Sequence, residues 1–243
     1  MEFSEFKKEL DYIFEKNSLA ELITDERAQK LFELTQIMLE VNKSMNLTAI
    51  TDERAIILKH YADSLTVSKY IPLNAKVIDV GCGAGFPCLP LAIFREDLKI
   101  CALDATAKRI RYVEDTARKL GLDNVTAIAA RAEELAKDNS YRESYDIATA
   151  RAVAALPVLS ELCLPFVKIG GKFVAMKASQ GENEAKDAEN AIKLCGGALI
   201  SVDKFTLNSD SDVDTRVIVS VSKLSSTPSK YPRHYSQIVK KHL

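Results

Sequence analysis

The chain has 243 residues, 47% of them hydrophobic and 28% charged, with a formal net charge of −1. That length and apolar fraction support the core of one soluble α/β enzyme domain with a small accessory element. No apolar run approaches the roughly 20 residues needed to span a bilayer, and the acidic, amphipathic N-terminus excludes a signal peptide. The five cysteines, Cys82, Cys88, Cys101, Cys163 and Cys195, are odd in number and lack C-x-x-C spacing. They fit a reducing cytoplasm, with neither a disulfide framework nor a zinc or other metal site.

Residues 1–73 read as a helical N-terminal element. Phe3, Phe6, Leu10 and Ile13 recur at helical intervals, as do Leu31, Leu34, Met38 and Val41. Thr24 and Thr51, each followed by two acids, look like N-caps with acidic first turns. From residue 76 strands and helices alternate, with strands expected near 76–80, 99–104, 125–129, 145–150, 171–177, 198–206 and 215–223. That rhythm predicts a doubly wound, mostly parallel seven-stranded sheet over 74–224. The last two strands have no helix between them, so 215–223 should run antiparallel. Residues 225–243 form a tail after the linker-like Ser225–Ser229 stretch.

The densest signal is the first strand together with the glycine run at its end. Val77, Ile78 and Val80 suit a strand buried on both faces, and Asp79 within it needs hydrogen-bond partners to be tolerated there. Gly81, Gly83 and Gly85 then alternate, giving a sharp turn that a ligand can approach closely. The spacing is D-x-G-x-G-x-G. It is neither the dinucleotide G-x-G-x-x-G, since Phe86 stands at the last position, nor a P-loop. It resembles the first motif of Rossmann-like S-adenosylmethionine (AdoMet) methyltransferases. Asp104 ends the second strand, where an acid accepts hydrogen bonds from ribose hydroxyls; capping of the next helix is the alternative. Arg131–Glu134 comes after the third strand at the place of an adenine loop, with Ala132 and Glu133 as contacts. Arg151 ends the fourth strand, and a guanidinium there should meet an anion or a carbonyl.

Charge is unevenly spread: residues 1–73 carry −4, residues 74–214 carry −3 and residues 215–243 carry +6. A basic end on a near-neutral chain suggests a polyanion partner or a solvated tail. Neither the Asn/Asp-Pro-Pro-aromatic motif of base-amine methylation nor a positioned nucleophilic Cys is present, and Cys163 falls on an apolar helix face.

Taken in order, Asn46-Leu-Thr-Ala-Ile50, His60-x-x-Asp-Ser-Leu65, Val80–Pro87, Leu103-Asp104 with Lys108-Arg109, Arg131–Glu134, Arg151-Ala152, Gly170-Gly171 leading to Lys177, and Tyr231-Pro-Arg233 resemble the bacterial glucose-inhibited division protein B family, of the RsmG type. The resemblance runs nearly end to end. It departs at Cys88 and Ala178, where the family usually has glycine, and in the tail after Arg233. It implies a class I AdoMet methyltransferase fold, AdoMet as cofactor, and methylation of guanine N7 in 16S rRNA of the small subunit; a monomer is expected. It also implies AdoMet contacts at Gly81, Phe86, Asp104, Ala132, Glu133 and Arg151.

Guanine N7 has a lone pair and no proton, so no catalytic base is expected and the chemistry reduces to orientation. Candidates for phosphate contact are Lys177, Arg233, Lys240 and Lys241. His60 is open between an RNA contact and a structural tie from the helical segment to the core. A methyltransferase of the same fold acting on a small molecule or a protein is the alternative.

Overall fold

The computed structural model describes residues 1–209 and 213–243. Its strands are β1 (Lys76–Val80), β2 (Lys99–Asp104), β3 (Val125–Ala129), β4 (Tyr145–Arg151), β5 (Val167–Ala178), β6 (Gly197–Asn208) and β7 (Val213–Lys223). They form one seven-stranded sheet in the order β3-β2-β1-β4-β5-β7-β6. The pairs among β1 to β5 are parallel, and β7 runs antiparallel to both β5 and β6. Every expected strand is present, and β5 begins at Val167 rather than 171. Strand order reverses between β1 and β4, which opens a crevice at their C-terminal ends, the usual ligand site of open α/β sheets.

The expected helical segment contains α1 (Phe3–Lys16) and α2 (Asp25–Met45). Thr24 caps α2 by accepting from the Arg27 N–H at 3.2 Å. The next cap is Asp52 rather than Thr51: its carboxylate accepts from the Ala55 N–H at 2.8 Å. That helix runs over Glu53–Ile56, passes through a π-helical stretch at Ile57–Ala62, and ends at Asp63–Leu65. Such π turns recur at functional sites because they re-aim side chains. Here the turn carries His60.

Residues 1–73 do not form a separate core. Phe6, Leu10, Leu31 and Met38 belong to the same buried cluster as Val77, Ile100, Ile147 and Ile218 on one sheet face. Phe6, Leu10, Ile13 and Phe14 of α1 are all fully buried, each contributing roughly 1.5–3 kcal/mol. The other face holds Ile78, Leu103, Phe173 and Val219, and there Tyr231 and Ile238 of the tail join the cluster.

The tail leaves the sheet at the end remote from the crevice, because Arg216 pairs with Ala178 while Ser222 pairs with Lys172. It is pinned there. Arg142 donates to the Thr227 and Tyr231 carbonyls at 2.7 and 3.1 Å, and the Glu143 carboxylate accepts from the Thr227 N–H at 2.7 Å. Among the described residues, no helix is long and apolar enough to cross a membrane.

Candidate active site

A cavity of about 670 Å³ lies at the C-terminal ends of β1, β2 and β4, lined in part by Gly81, Gly83, Phe86, Asp104, Arg151 and Lys177. Its floor is the glycine turn. Gly81, Gly83 and Gly85 have φ of +76°, +57° and +86°, conformations that cost L-residues about 1–2 kcal/mol. A Cβ at Gly81 would lie 2.6 Å from Val153, whereas one at Gly83 would meet only the Gly81 oxygen at 3.9 Å. The turn is therefore closely packed at Gly81 and open at Gly83. Ala152 also has positive φ, +55°. It succeeds Arg151 in the cavity wall, a place where backbone strain accompanies function.

Asp79 lies behind this floor, 1% exposed. Its carboxylate accepts from the Cys88 N–H at 3.3 Å and the Thr149 hydroxyl at 3.1 Å, the partners its burial required. Burial pushes its carboxyl up to about 6, with these hydrogen bonds and Arg151 opposing the shift. It braces the turn and does not line the cavity. Asp104 does line it. One Asp104 oxygen accepts from the Gly83 N–H at 3.1 Å and the other from the Thr106 N–H at 2.7 Å. It thus fixes the turn and the Thr106 residue that precedes the next helix, the latter close to the capping alternative read from the sequence. The Ala130 N–H donates to the Asp104 carbonyl at 3.1 Å, tying the post-β3 segment to the same corner. Glu133 is buried there, and its Oε1 has no hydrogen-bond partner.

The cavity's far wall comes from the helical segment. The Arg151 guanidinium donates to the Lys59 carbonyl and the Asp63 carboxylate, both at 2.9 Å, so it finds both an anion and a carbonyl. The second Asp63 oxygen accepts from Arg216 Nε at 3.1 Å. His60 stacks on Phe86 with centroids 4.3 Å apart and planes 14° apart, and the Arg151 guanidinium lies 5.3 Å from the same ring's centroid. His60 Nε2 is 3.0 Å from the Thr48 hydroxyl and Nδ1 is 3.4 Å from Arg151. Arginine can only donate, so Nδ1 accepts and Nε2 carries the proton. Burial, then the Arg151 charge, pushes the imidazole down to about 3. His60 is neutral at physiological pH and both its ring nitrogens are engaged, so it ties the helical segment to the glycine turn while facing the cavity.

Two expected phosphate ligands have internal partners. Lys177 lines the cavity, but its ammonium sits 2.8 Å from both the Ala154 carbonyl and the Glu184 carboxylate. Arg233 forms a forked pair with the fully buried Glu161 at 2.9 and 2.6 Å. Lys177 and the tail also stand at opposite ends of β5 and β7 rather than side by side. Lys240 and Lys241 are exposed. Sequence reasoning quoted Asp63 only within the His60-x-x-Asp-Ser-Leu65 motif and gave no role to it or to Arg216; Asp63 holds Arg151 and Arg216 together. The only signal was the His60-x-x-Asp63 spacing, which sets both side chains on one helix face.

Fold and site together define a Rossmann-like methyltransferase. TYW2 from M. jannaschii, solved with AdoMet, superposes with a TM-score of 0.53 at 16% identity, covering 67% of this chain and 75% of that one. A SAM-dependent methyltransferase from Aquifex aeolicus gives 0.52 at 17% identity, covering 68% and 92%. The family model for rRNA small subunit methyltransferase G matches residues 27–213. The ribosomal RNA small subunit methyltransferase G of Alkaliphilus metalliredigens is 43% identical over 213 residues, 87% of this chain and 88% of that one. That of Staphylococcus carnosus is 45% identical over 216 residues, again 87% and 88%. The chain belongs to the rRNA small subunit methyltransferase G family.

Proposed function

We infer that this protein transfers the methyl group of AdoMet to guanine N7 of 16S rRNA in the small ribosomal subunit. The observation that carries the reading is the switch-point cavity, where an open glycine turn and the Asp104 carboxylate meet in a chain of this family. The residues fit the cofactor. Gly83 leaves the turn uncovered and Asp104 offers acceptors to ribose hydroxyls; Ala132 and the buried Glu133, expected as adenine contacts, lie outside the cavity lining, so their part in the reading rests on the family resemblance. AdoMet, when bound, supplies an electrophilic sulfonium methyl.

The chain's own task is then positional. Guanine N7 has no proton to remove, and the cavity supports that economy. His60 is held far below the range of a general base, and all five thiols are buried. Arg151, fixed by Asp63 and the Lys59 carbonyl, is a rigid cation at the mouth of β4 that orients a bound anion or carbonyl. Orientation of two reactants supplies about 7–11 kcal/mol at best. N7 lies on the major-groove edge, which is inaccessible in A-form RNA, so the target is an irregular or opened segment. The same reading puts the protein in the cytoplasm, and the free thiols suit a reducing compartment.

The test is transfer of labelled methyl from AdoMet to purified 16S rRNA and to small-subunit particles, with the modified base mapped. Label at guanine N7, lost in Asp104→Ala together with AdoMet binding, is the expected result. Label on another base, or none on either RNA, overturns the reading.

A further inference from the structure

The helix Ala107–Lys119 begins beside Asp104 and packs its Val113 and Ala117 into the core. Between this helix and the C-terminal half of α2 lies a second cleft of about 220 Å³, with Val41 and Met45 on one wall, Tyr112 and Thr116 on the other, and Lys108, Arg111 and Lys119 at its rim. Tyr112 and Thr116 are 4% and 1% exposed, and neither hydroxyl has a hydrogen-bond partner outside the pair. Native interiors rarely leave such groups unsatisfied. A bond between the two, one helical turn apart, would still leave one donor over, since each hydroxyl donates once and accepts twice.

The rim is as distinctive as the floor. Lys108, Arg111 and Lys119 are exposed and pair with no carboxylate among the described residues. Asp115, which also lines the cleft, is taken up by Arg118. Arg109, on the same helix, lines the catalytic cavity, so a strand of nucleic acid leaving that cavity along the helix meets this rim next. The cleft is smaller than the roughly 300–1,000 Å³ of a site for a whole ligand and suits one ring system.

We propose that this cleft receives one unstacked nucleotide of the rRNA substrate. Its face lies against Val41 and Met45, Lys108, Arg111 and Lys119 contact the flanking phosphates, and its base edge reaches the buried Tyr112 and Thr116 hydroxyls once the cleft wall shifts to expose them. Unstacked bases with polar edges and apolar cover are what RNA-binding surfaces select. The proposal rests on the rRNA methyltransferase reading above.

Two sets of variants test it on full-length enzyme with small-subunit RNA as the probe. Tyr112→Phe and Thr116→Val delete hydroxyls that are unsatisfied in the free protein, so the Tm should hold or rise. The KM for RNA should rise about 3- to 10-fold per hydroxyl lost, with AdoMet affinity unchanged. The triple variant Lys108→Gln/Arg111→Gln/Lys119→Gln should flatten the slope of log affinity against log salt by about 2–3 units, at roughly 0.7–0.9 per phosphate contact. The comparison variant Lys230→Gln/Lys240→Gln/Lys241→Gln removes the same charge from the tail and should flatten it less. Wild-type KM and salt slope in the cleft triple variant overturn the proposal, as does a lowered Tm with unchanged KM in both hydroxyl variants. If the wild-type enzyme labels no RNA, the underlying reading falls and the cleft proposal falls with it.

Discussion

Asp63 and Glu161 are buried carboxylates that hold guanidinium groups, and they do different things with them. Asp63 is shared by Arg151 and Arg216 at the cavity end of the sheet. Arg151 keeps its face toward Phe86 and its edge on the cavity wall. Glu161, on the helix beneath the tail, takes the Arg233 side chain in a fork and the Arg233 N–H as well, at 2.8 Å. The first leaves a cation on the cavity wall; the second withdraws one from solvent to fasten a segment. Formal charge does not separate these uses. Of the six cations after residue 214, Arg216 and Arg233 are paired, and Lys223 is fully buried against Glu143 and the Leu164 carbonyl. Lys230, Lys240 and Lys241 remain exposed.

Removing each acceptor tests that contrast. Asp63→Ala strands two cations at once. It should cost about 3 kcal/mol, the lower end of the usual roughly 3–5 for breaking a buried pair, because Arg151 and Arg216 keep 14% and 19% exposure. It should also lower turnover about 100-fold by releasing Arg151, as read by denaturant titration and methyl transfer. Glu161→Ala should cost about 2 kcal/mol, since Arg233 can turn to water, and should leave turnover unchanged. A comparable loss of turnover in both variants would erase the distinction.

A pH titration sharpens the comparison at the cavity end. The unfolded chain protonates His60 near its ordinary 6.5, whereas the native ring stays neutral until about 3. Below 6.5 the unfolded state therefore binds more protons, and this part of the stability is lost as pH falls through that window. At pH 5 the loss is about 2 kcal/mol. Asp79 acts in the opposite sense. Its carboxyl, raised to about 6, binds its proton first in the native state, so its share of stability grows as pH falls from 6 toward 4. His60→Gln should remove only the first effect, seen as a shallower acid limb in stability measured from pH 7 to 4. The smallest expected change is in Cys163→Ala. Its thiol is fully buried and pushed well above its ordinary value, so turnover should stay within about twofold while stability drops about 1 kcal/mol.

Much of the fold was legible because it is written in local patterns. Val77–Val80, the glycine alternation and Asp104 mark a βαβ corner within a few dozen residues, and every strand was placed from periodicity and turn residues. Lys177 and Arg233 show the limit. Their types and positions suggested phosphate contacts, but Glu184 and Glu161 reach them only through packing. Arg216 is 153 residues from Asp63 in the chain, and no spacing rule links them. The His60 tautomer and its lowered pKa likewise come from Thr48, Arg151 and Phe86 converging in space. The orphaned hydroxyls of Tyr112 and Thr116 are invisible in sequence, where both residues read as ordinary core positions of an amphipathic helix.

The stack of His60 on Phe86 has a dynamic consequence. The glycine turn from Gly81 runs directly into Phe86. Here its last residue is joined to the π-helical stretch Ile57–Ala62, so the turn cannot loosen without shifting that stretch. In hydrogen exchange the amides of residues 81–86 and 57–63 should open as one cooperative unit. Steadying the turn would then slow exchange in the helix over residues 53–65 as well. The helical segment would in that case report occupancy of a crevice whose floor belongs to a different stretch of chain.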